Sequence, residues 1–163
     1  MRRRSPAGFT LIELLITVAI IAILAAIALV NYTNAIDRAR QRGSMADIRG
    51  VATALEAYAI DHDRYPPAAA FTLPEGLSLP SENLLVVRGY LLPTYLRAVP
   101  LNDGWNSWFL YGANARLSDY VITSTGRGGV AETAPSFGPT TTFQNDIILV
   151  NGKFVQWPEG VQY

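Results

Sequence analysis

The chain has 163 residues, with 13 basic and 13 acidic side chains, a single histidine at His62 and no cysteine. The balanced charge gives no basic surface for nucleic acid, so we expect no nucleic-acid partner. Disulfides and thiol chemistry are excluded, and the sequence has neither a phosphate-binding loop nor a paired metal-ligand motif. We therefore expect that the protein is not an enzyme.

The N-terminus is a short basic leader followed by a long apolar run. Residues 14–36 are 23 consecutive positions without a charge, and a helix needs about 20 apolar residues to cross the hydrocarbon core of a bilayer. Arg2, Arg3 and Arg4 precede the run and are expected to stay in the cytoplasm, which places the rest of the chain across the membrane. Hydropathy alone leaves open a permanent anchor or an uncleaved signal-anchor.

The pair Gly8-Phe9 separates the leader from the apolar run. A secretory signal peptide has its cleavage site after the apolar region, whereas this junction lies before it. Cleavage here would keep the apolar segment as the mature N-terminus. Glu13 is the one carboxylate in this segment, and an ionisable group in a membrane span usually needs a partner. That partner is either a terminal amine, of its own chain or of a neighbouring subunit, or the headgroup layer at the membrane interface.

Residues 37–62 have the pattern of an amphipathic continuation of the same helix. Apolar residues recur at spacings of three and four, which predicts one buried face. The predicted members of this face are Ile48, Val51, Ala52, Leu55, Tyr58 and Ala59. The helix is expected to end near His62, because Tyr65-Pro66-Pro67 follows and a residue before proline is pushed out of the α region.

The C-terminal half has the pattern of short strands. They are predicted over residues 108–111, 120–123, 147–150 and 154–157. Asn151-Gly152, between the last two, is typical of a two-residue hairpin turn. These elements predict an α+β fold, in which a long N-terminal helix, half membrane-bound and half amphipathic, packs on a small antiparallel sheet.

The segment GFTLIELL, which begins at Gly8, resembles the class III leader of type IV pilins and related pseudopilins. In that family prepilin peptidase cleaves after the glycine and methylates the new terminal amine, so the resemblance implies processing between Gly8 and Phe9. It also implies that Glu13 pairs with the terminal amine of an adjacent subunit during assembly. Many relatives carry a proline that loosens the helix at the position of Val30, so we expect a more continuous helix here.

Two further segments are similar to the major pseudopilin of type II secretion systems. They are ALEAYAIDHDRYP, which begins at Ala54, and YLRAVPLNDGWNSWFLY, which begins at Tyr95. In the second segment the family's Asp-Pro-Trp-Gly-Asn order is replaced by Asp103-Gly104-Trp105-Asn106.

The resemblance implies a leader peptide over residues 1–8, a transmembrane and polymerisation helix over 9–36, and a periplasmic domain over 37–163 that includes the amphipathic helix to about 62. It implies a structural subunit of a secretion pseudopilus, held in the bacterial inner membrane by a single pass. The implied partners are copies of itself, prepilin peptidase, the inner-membrane secretion platform and minor pseudopilins. The alternatives are a type IV pilin for adhesion, motility or DNA uptake, and a membrane-anchored binding module that never polymerises.

The glycine-rich loop over residues 124–146 is where the resemblance implies a cofactor. The corresponding loop of the major pseudopilin carries aspartates and binds calcium, which takes several oxygen ligands. Here Arg127 stands where an acid is expected. The candidate calcium ligands are Asp146 and Ser124, with Asn145 and Glu132 as further oxygen donors. The alternative is a loop without metal that is closed by packing of Phe137 and Phe143.

Overall fold

The computed structural model describes residues 8–68, 80, 82–133 and 135–162. The chain divides into two compact units between Ile36 and Asp37. Helix α1, Leu11–His62, begins in the first unit and ends in the second, at the residue that the sequence predicts. It continues without interruption through Val30, as expected. The proline-rich segment at 69–79 lies outside the described residues.

The second unit contains a five-stranded sheet with the strand order β1-β2-β4-β5-β3. Its strands are β1 (Leu110–Ala113), β2 (Tyr120–Ser124), β3 (Gly138–Thr140), β4 (Ile147–Val150) and β5 (Lys153–Pro158). The four predicted strands are present, and β4 and β5 form the predicted hairpin with positive φ at Asn151 and Gly152. A short helix α2 (Arg88–Leu91) precedes β1 and buries Leu91.

The predicted α+β fold of a long helix and a small sheet is confirmed, but the predicted antiparallel pairing does not extend to β3, which pairs with β5 in parallel. The sheet is therefore mixed. Strand β3 consists of Gly-Pro-Thr, and glycine and proline are both depleted in strands, so no alternating pattern marks it in the sequence. Proline lacks a donor for the ladder, which restricts it to edge positions such as this one.

The core lies between α1 and one face of the sheet. Helix residues Ile48, Val51 and Leu55 are at most 1% exposed and pack in one cluster with Tyr111 and Ile122 of the strands. Of the predicted helix face, only Ala59 is half-buried rather than buried. The opposite face of the sheet carries a smaller cluster of Val121, Ile148 and Val150.

The glycine of the Asp103-Gly104-Trp105-Asn106 stretch lies against the backbone of α1. Its backbone N–H donates to Ser44 Oγ on α1 at 2.9 Å, and a Cβ at this position would lie 2.6 Å from the carbonyl oxygen of Arg40. Only glycine allows the loop to approach the helix backbone this closely. The loop therefore contacts α1 directly, one turn before the apolar core begins.

We expect Gly104→Ala to lower the free energy of unfolding by about 1–3 kcal/mol, because the added methyl group must displace backbone rather than a mobile side chain. Gly50→Ala is the matched control. A Cβ at Gly50, on the exposed side of α1, meets no atom within 4 Å. It should be neutral or add up to about 1 kcal/mol through helix propensity. Chemical denaturation followed by tryptophan fluorescence measures both, and equal effects would contradict the close-approach argument.

Candidate functional site

The first compact unit presents apolar side chains on all sides of its helix. Twelve leucine, isoleucine and valine side chains from Leu11 to Leu29 are each 53–81% exposed. Thr17 Oγ1 donates to the carbonyl of Leu14 at 2.8 Å, and Asn31 Nδ2 donates to that of Ile27 at 3.4 Å. Each of these side chains thus donates to the backbone of its own helix, which lowers the cost of placing it in lipid. Among the described residues, α1 is the one helix with the length and composition to cross a membrane.

The proposed cleavage junction lies just before α1 and is open to solvent. Gly8 and Phe9 are outside regular structure, and Phe9 is 75% exposed. A Cβ at Gly8 would meet no atom within 4 Å, and the backbone there does not adopt a positive φ. The described part of the fold therefore does not demand glycine at this position.

Glu13 and Thr10 together cap the N-terminus of α1. Thr10 N–H and Thr10 Oγ1 donate to Glu13 Oε2 at 2.9 and 2.7 Å, and Glu13 N–H donates to Thr10 Oγ1 at 3.3 Å. This reciprocal pair is a capping box, which satisfies free N–H groups at a helix start. This cap was not predicted from the sequence, although Thr-x-x-Glu before an apolar run is its signature.

The capping box gives Glu13 a partner within its own chain. Within the described residues, only Oε2 takes part in hydrogen bonds, so Oε1 is left for another donor. A carboxylate held in this way is oriented before any neighbour arrives. Its use by a neighbouring subunit is therefore compatible with its use as a cap.

In the second unit, Asp37 joins α1 to two loops. Its carboxylate is buried and accepts from Trp105 Nε1 at 3.0 Å, from Arg127 Nη1 at 3.3 Å and from Arg40 Nη1 at 3.5 Å. Arg127 is the residue that replaces the expected acid of the calcium loop. Its guanidinium is therefore directed to the helix carboxylate.

Ser124 and Asp146 lie at neighbouring ends of β2 and β4 but bond to different groups. Ser124 Oγ donates to Asp103 Oδ2 at 2.7 Å. Asp146 Oδ2 accepts from the backbone N–H of Glu132 at 2.9 Å. The two candidate calcium ligands thus have separate partners.

The donors around Asp146 do not fit a calcium ion. Calcium takes six to eight oxygen ligands, commonly with several carboxylates. In the described part of the chain no cluster of three or more acidic, histidine or cysteine side chains is placed to hold a metal. Asp146 Oδ1 is the one buried carboxylate oxygen there without a hydrogen-bond partner. Burial raises the pKa of Asp146 to about 7, an effect that the nearby charge of Glu132 reinforces and the N–H of Glu132 opposes. A single oxygen in such surroundings is suited to a proton rather than to a divalent ion.

The alternative prediction was a loop without metal that is closed by packing of Phe137 and Phe143, and only one of the two side chains is buried. Phe143 is fully buried, whereas Phe137 is 47% exposed. Packing of Phe143 therefore contributes to the loop, and the remaining contacts are polar.

Two family models match the chain. Residues 3–29 match the prokaryotic N-terminal methylation motif, and residues 31–136 match type II secretion system protein G. Comparison with solved structures gives no match.

Relatives cover most of the chain. The type II secretion system core protein G of Klebsiella michiganensis is 32% identical over 146 residues, which are 86% of this chain and 97% of that protein. The core protein G of Pseudomonas aeruginosa is 30% identical over 134 residues, 79% of this chain and 89% of that protein. The type IV major pilin protein PilA of Myxococcus xanthus is 34% identical over 121 residues, but these are only 54% of that protein. With an N-terminal methylation motif followed by a family model over more than half of its length, the chain belongs to the type II secretion system protein G family.

Proposed function

We propose that this protein is the major structural subunit of a type II secretion pseudopilus, cut after Gly8 and polymerised through the helix over residues 9–36. The observation that supports this most directly is the first compact unit. An apolar helix without protein cover carries one preoriented carboxylate, Glu13, beside an open glycine junction. The protein G family membership gives this arrangement its context.

The proposed work is mechanical. In the inner membrane, lipid covers the apolar helix; in the filament, the helices of neighbouring subunits cover it. Subunits leave the membrane as one cover replaces the other, and the growing filament drives folded proteins out of the periplasm. Because Arg2, Arg3 and Arg4 favour the cytoplasmic side, residues 37–163 are assigned to the periplasm.

The proposed partners follow from these steps. Prepilin peptidase removes residues 1–8 and methylates Phe9. Copies of the same chain form the filament, and the inner-membrane platform and minor pseudopilins start and feed it. The domain is a structural part of this machine and is assigned no catalytic step of its own.

A type IV pilin remains the second candidate, supported by the similarity to PilA but weakened by its partial coverage. Deletion of the gene distinguishes the two. We expect exported proteins to accumulate in the periplasm of the deletion strain and to disappear from the medium. Loss of surface pili with normal secretion would instead favour the pilin. A membrane-anchored binding module would give normal secretion and normal pili.

Processing gives the first test in cells. We expect the mature protein to begin at Phe9 with a methylated amine, because the cleavage junction precedes the apolar run. Intact-mass spectrometry of protein purified from membranes measures this directly. The control is Gly8→Leu, which should retain the leader, since nothing in the fold opposes a side chain there. A mature protein that starts at Met1 or after the apolar run would contradict the assignment.

The proposed role of Glu13 in filament assembly can be tested separately from its role as a helix cap. Glu13→Gln keeps an acceptor for the Thr10 N–H but removes the charge, because glutamine also serves in a capping box. We expect this variant to insert and be cleaved normally, but to assemble filaments poorly, because the amine of the neighbour loses its ionic partner. Thr10→Val keeps the charge and removes the hydroxyl of the cap, so it should assemble. Filament yield in sheared fractions, relative to membrane-bound subunit, gives the comparison. Normal filaments from Glu13→Gln would leave Glu13 as a cap alone.

A further inference from the structure

The two ends of the loop over residues 125–146 are in direct contact. Arg127 N–H donates to the carbonyl of Phe143 at 2.7 Å. A Cβ at Gly126, which has a φ of +56°, would lie 2.5 Å from the carbonyl oxygen of Asn145, and one at Gly128 would lie 3.0 Å from that of Gln144. The two glycines therefore allow the backbone of residues 126–128 to pack directly against the backbone of residues 143–145, and no space is left between these two segments.

Glu132 is the centre of the contacts that fix the rest of the loop. Its Oε1 accepts from Asn145 Nδ2 at 2.6 Å and from Asp146 N–H at 3.1 Å, and its Oε2 accepts from Gln156 Nε2 at 3.1 Å. Its own N–H donates to Asp146 Oδ2 at 2.9 Å. An ionised carboxylate that accepts several N–H groups forms strong, charge-assisted hydrogen bonds.

Gln156 extends this set of contacts to β5. Its side chain is fully buried, and Nε2 also donates to the carbonyl of Asp146 at 2.9 Å. Its Oε1 accepts from Ser136 N–H at 2.9 Å and from Ser136 Oγ at 3.3 Å. The loop is thus joined to the sheet on both sides of Glu132.

The polarity of this arrangement is opposite to that of a calcium site. A calcium ion would draw carboxylate and carbonyl oxygens around a positive centre. Here the centre is a negative carboxylate, and it draws N–H donors around itself. Asn145 and Glu132, two of the four oxygen donors that the sequence offered for calcium, are bonded to each other instead.

We infer that the carboxylate of Glu132 closes this loop in place of the family's calcium ion, so that the chain folds and assembles without calcium. The statement about folding stands on the contacts above, whereas the statement about assembly also rests on the proposed function.

The direct test measures the thermal unfolding of the full-length chain in detergent. Tryptophan fluorescence reports on the second unit alone, because Trp105, Trp108 and Trp157 all lie there. We expect neither excess EGTA nor millimolar calcium chloride to shift Tm by more than about 1 °C, since a ligand that binds only the folded state would raise it. A fall of several degrees in EGTA that calcium restores, and that is absent in Asp146→Ala, would overturn the inference.

Variants test Glu132 itself. Glu132→Gln should lower Tm by roughly 4–8 °C, because it loses the charge and turns an amide toward N–H donors, and calcium should not restore it. The control is Asp47→Asn, an exposed acid on α1 for which no hydrogen bond is found in the described part of the chain. An unchanged Tm in Glu132→Gln would contradict the role of Glu132. If that variant does not fold, Asn145→Ala removes one donor only and should give a smaller loss.

Calcium-independent assembly is tested by a separate measurement. Filament yield from cells grown in EGTA should equal that in calcium, while the Tm measurements establish whether the subunit is folded in both. A calcium requirement for filaments with an unshifted Tm would overturn calcium-independent assembly and leave the fold result standing. Absence of filaments under both conditions would count against the proposed function, and the Tm result would still decide how the loop is closed.

Discussion

The apolar surface of the helix in the first unit is the constraint on which the other features depend. Its large side chains are more than half exposed from Leu11 to Leu29, and burial of such surface is favourable in lipid and against other helices alike. The polar groups at Thr17 and Asn31 are already bonded to the backbone of their own helix. These two donors therefore need no partner from lipid or from a neighbouring helix, whereas Glu13 Oε1 is left for a donor outside the helix.

Over its described residues, the second unit carries no such continuous exposed face, and the chain has no cysteine to form a disulfide. Three carboxylates supply several of the links between its loops and its regular elements. Asp37 joins α1 to two loops, Asp103 holds its own turn and the end of β2 through Ser124, and Glu132 joins the long loop to β4 and β5. Each accepts three donors, and at least one of these comes from a segment more than ten residues away in sequence. For a domain that lacks cysteine, such multiply bonded carboxylates restrict the loops that a disulfide would otherwise hold.

Patterns local in sequence predicted the end of α1 at His62, its buried face and the hairpin at Asn151-Gly152, because periodicity and turn chemistry are local properties. Strand β3 was missed, since Gly-Pro-Thr has no strand pattern and is held in place by β5. The capping box was present in the sequence as Thr10-x-x-Glu13 and was overlooked. The partners of Asp37 and Asp103 were beyond sequence reasoning, because hydrogen bonds over separations of 68 and 21 residues leave no local signature.

In the loop over residues 125–146, the glycine pattern and the group at the centre of the loop have different physical causes, although the family resemblance implies them together. The glycine frame follows from the backbone, since Gly126 must adopt a positive φ and admit the carbonyl of Asn145, and these demands hold whatever else closes the loop. The group at the centre follows from side chains, and here Arg127 is directed to Asp37 while Glu132 gathers N–H donors. A glycine pattern thus predicts the path of the chain but not the ligand.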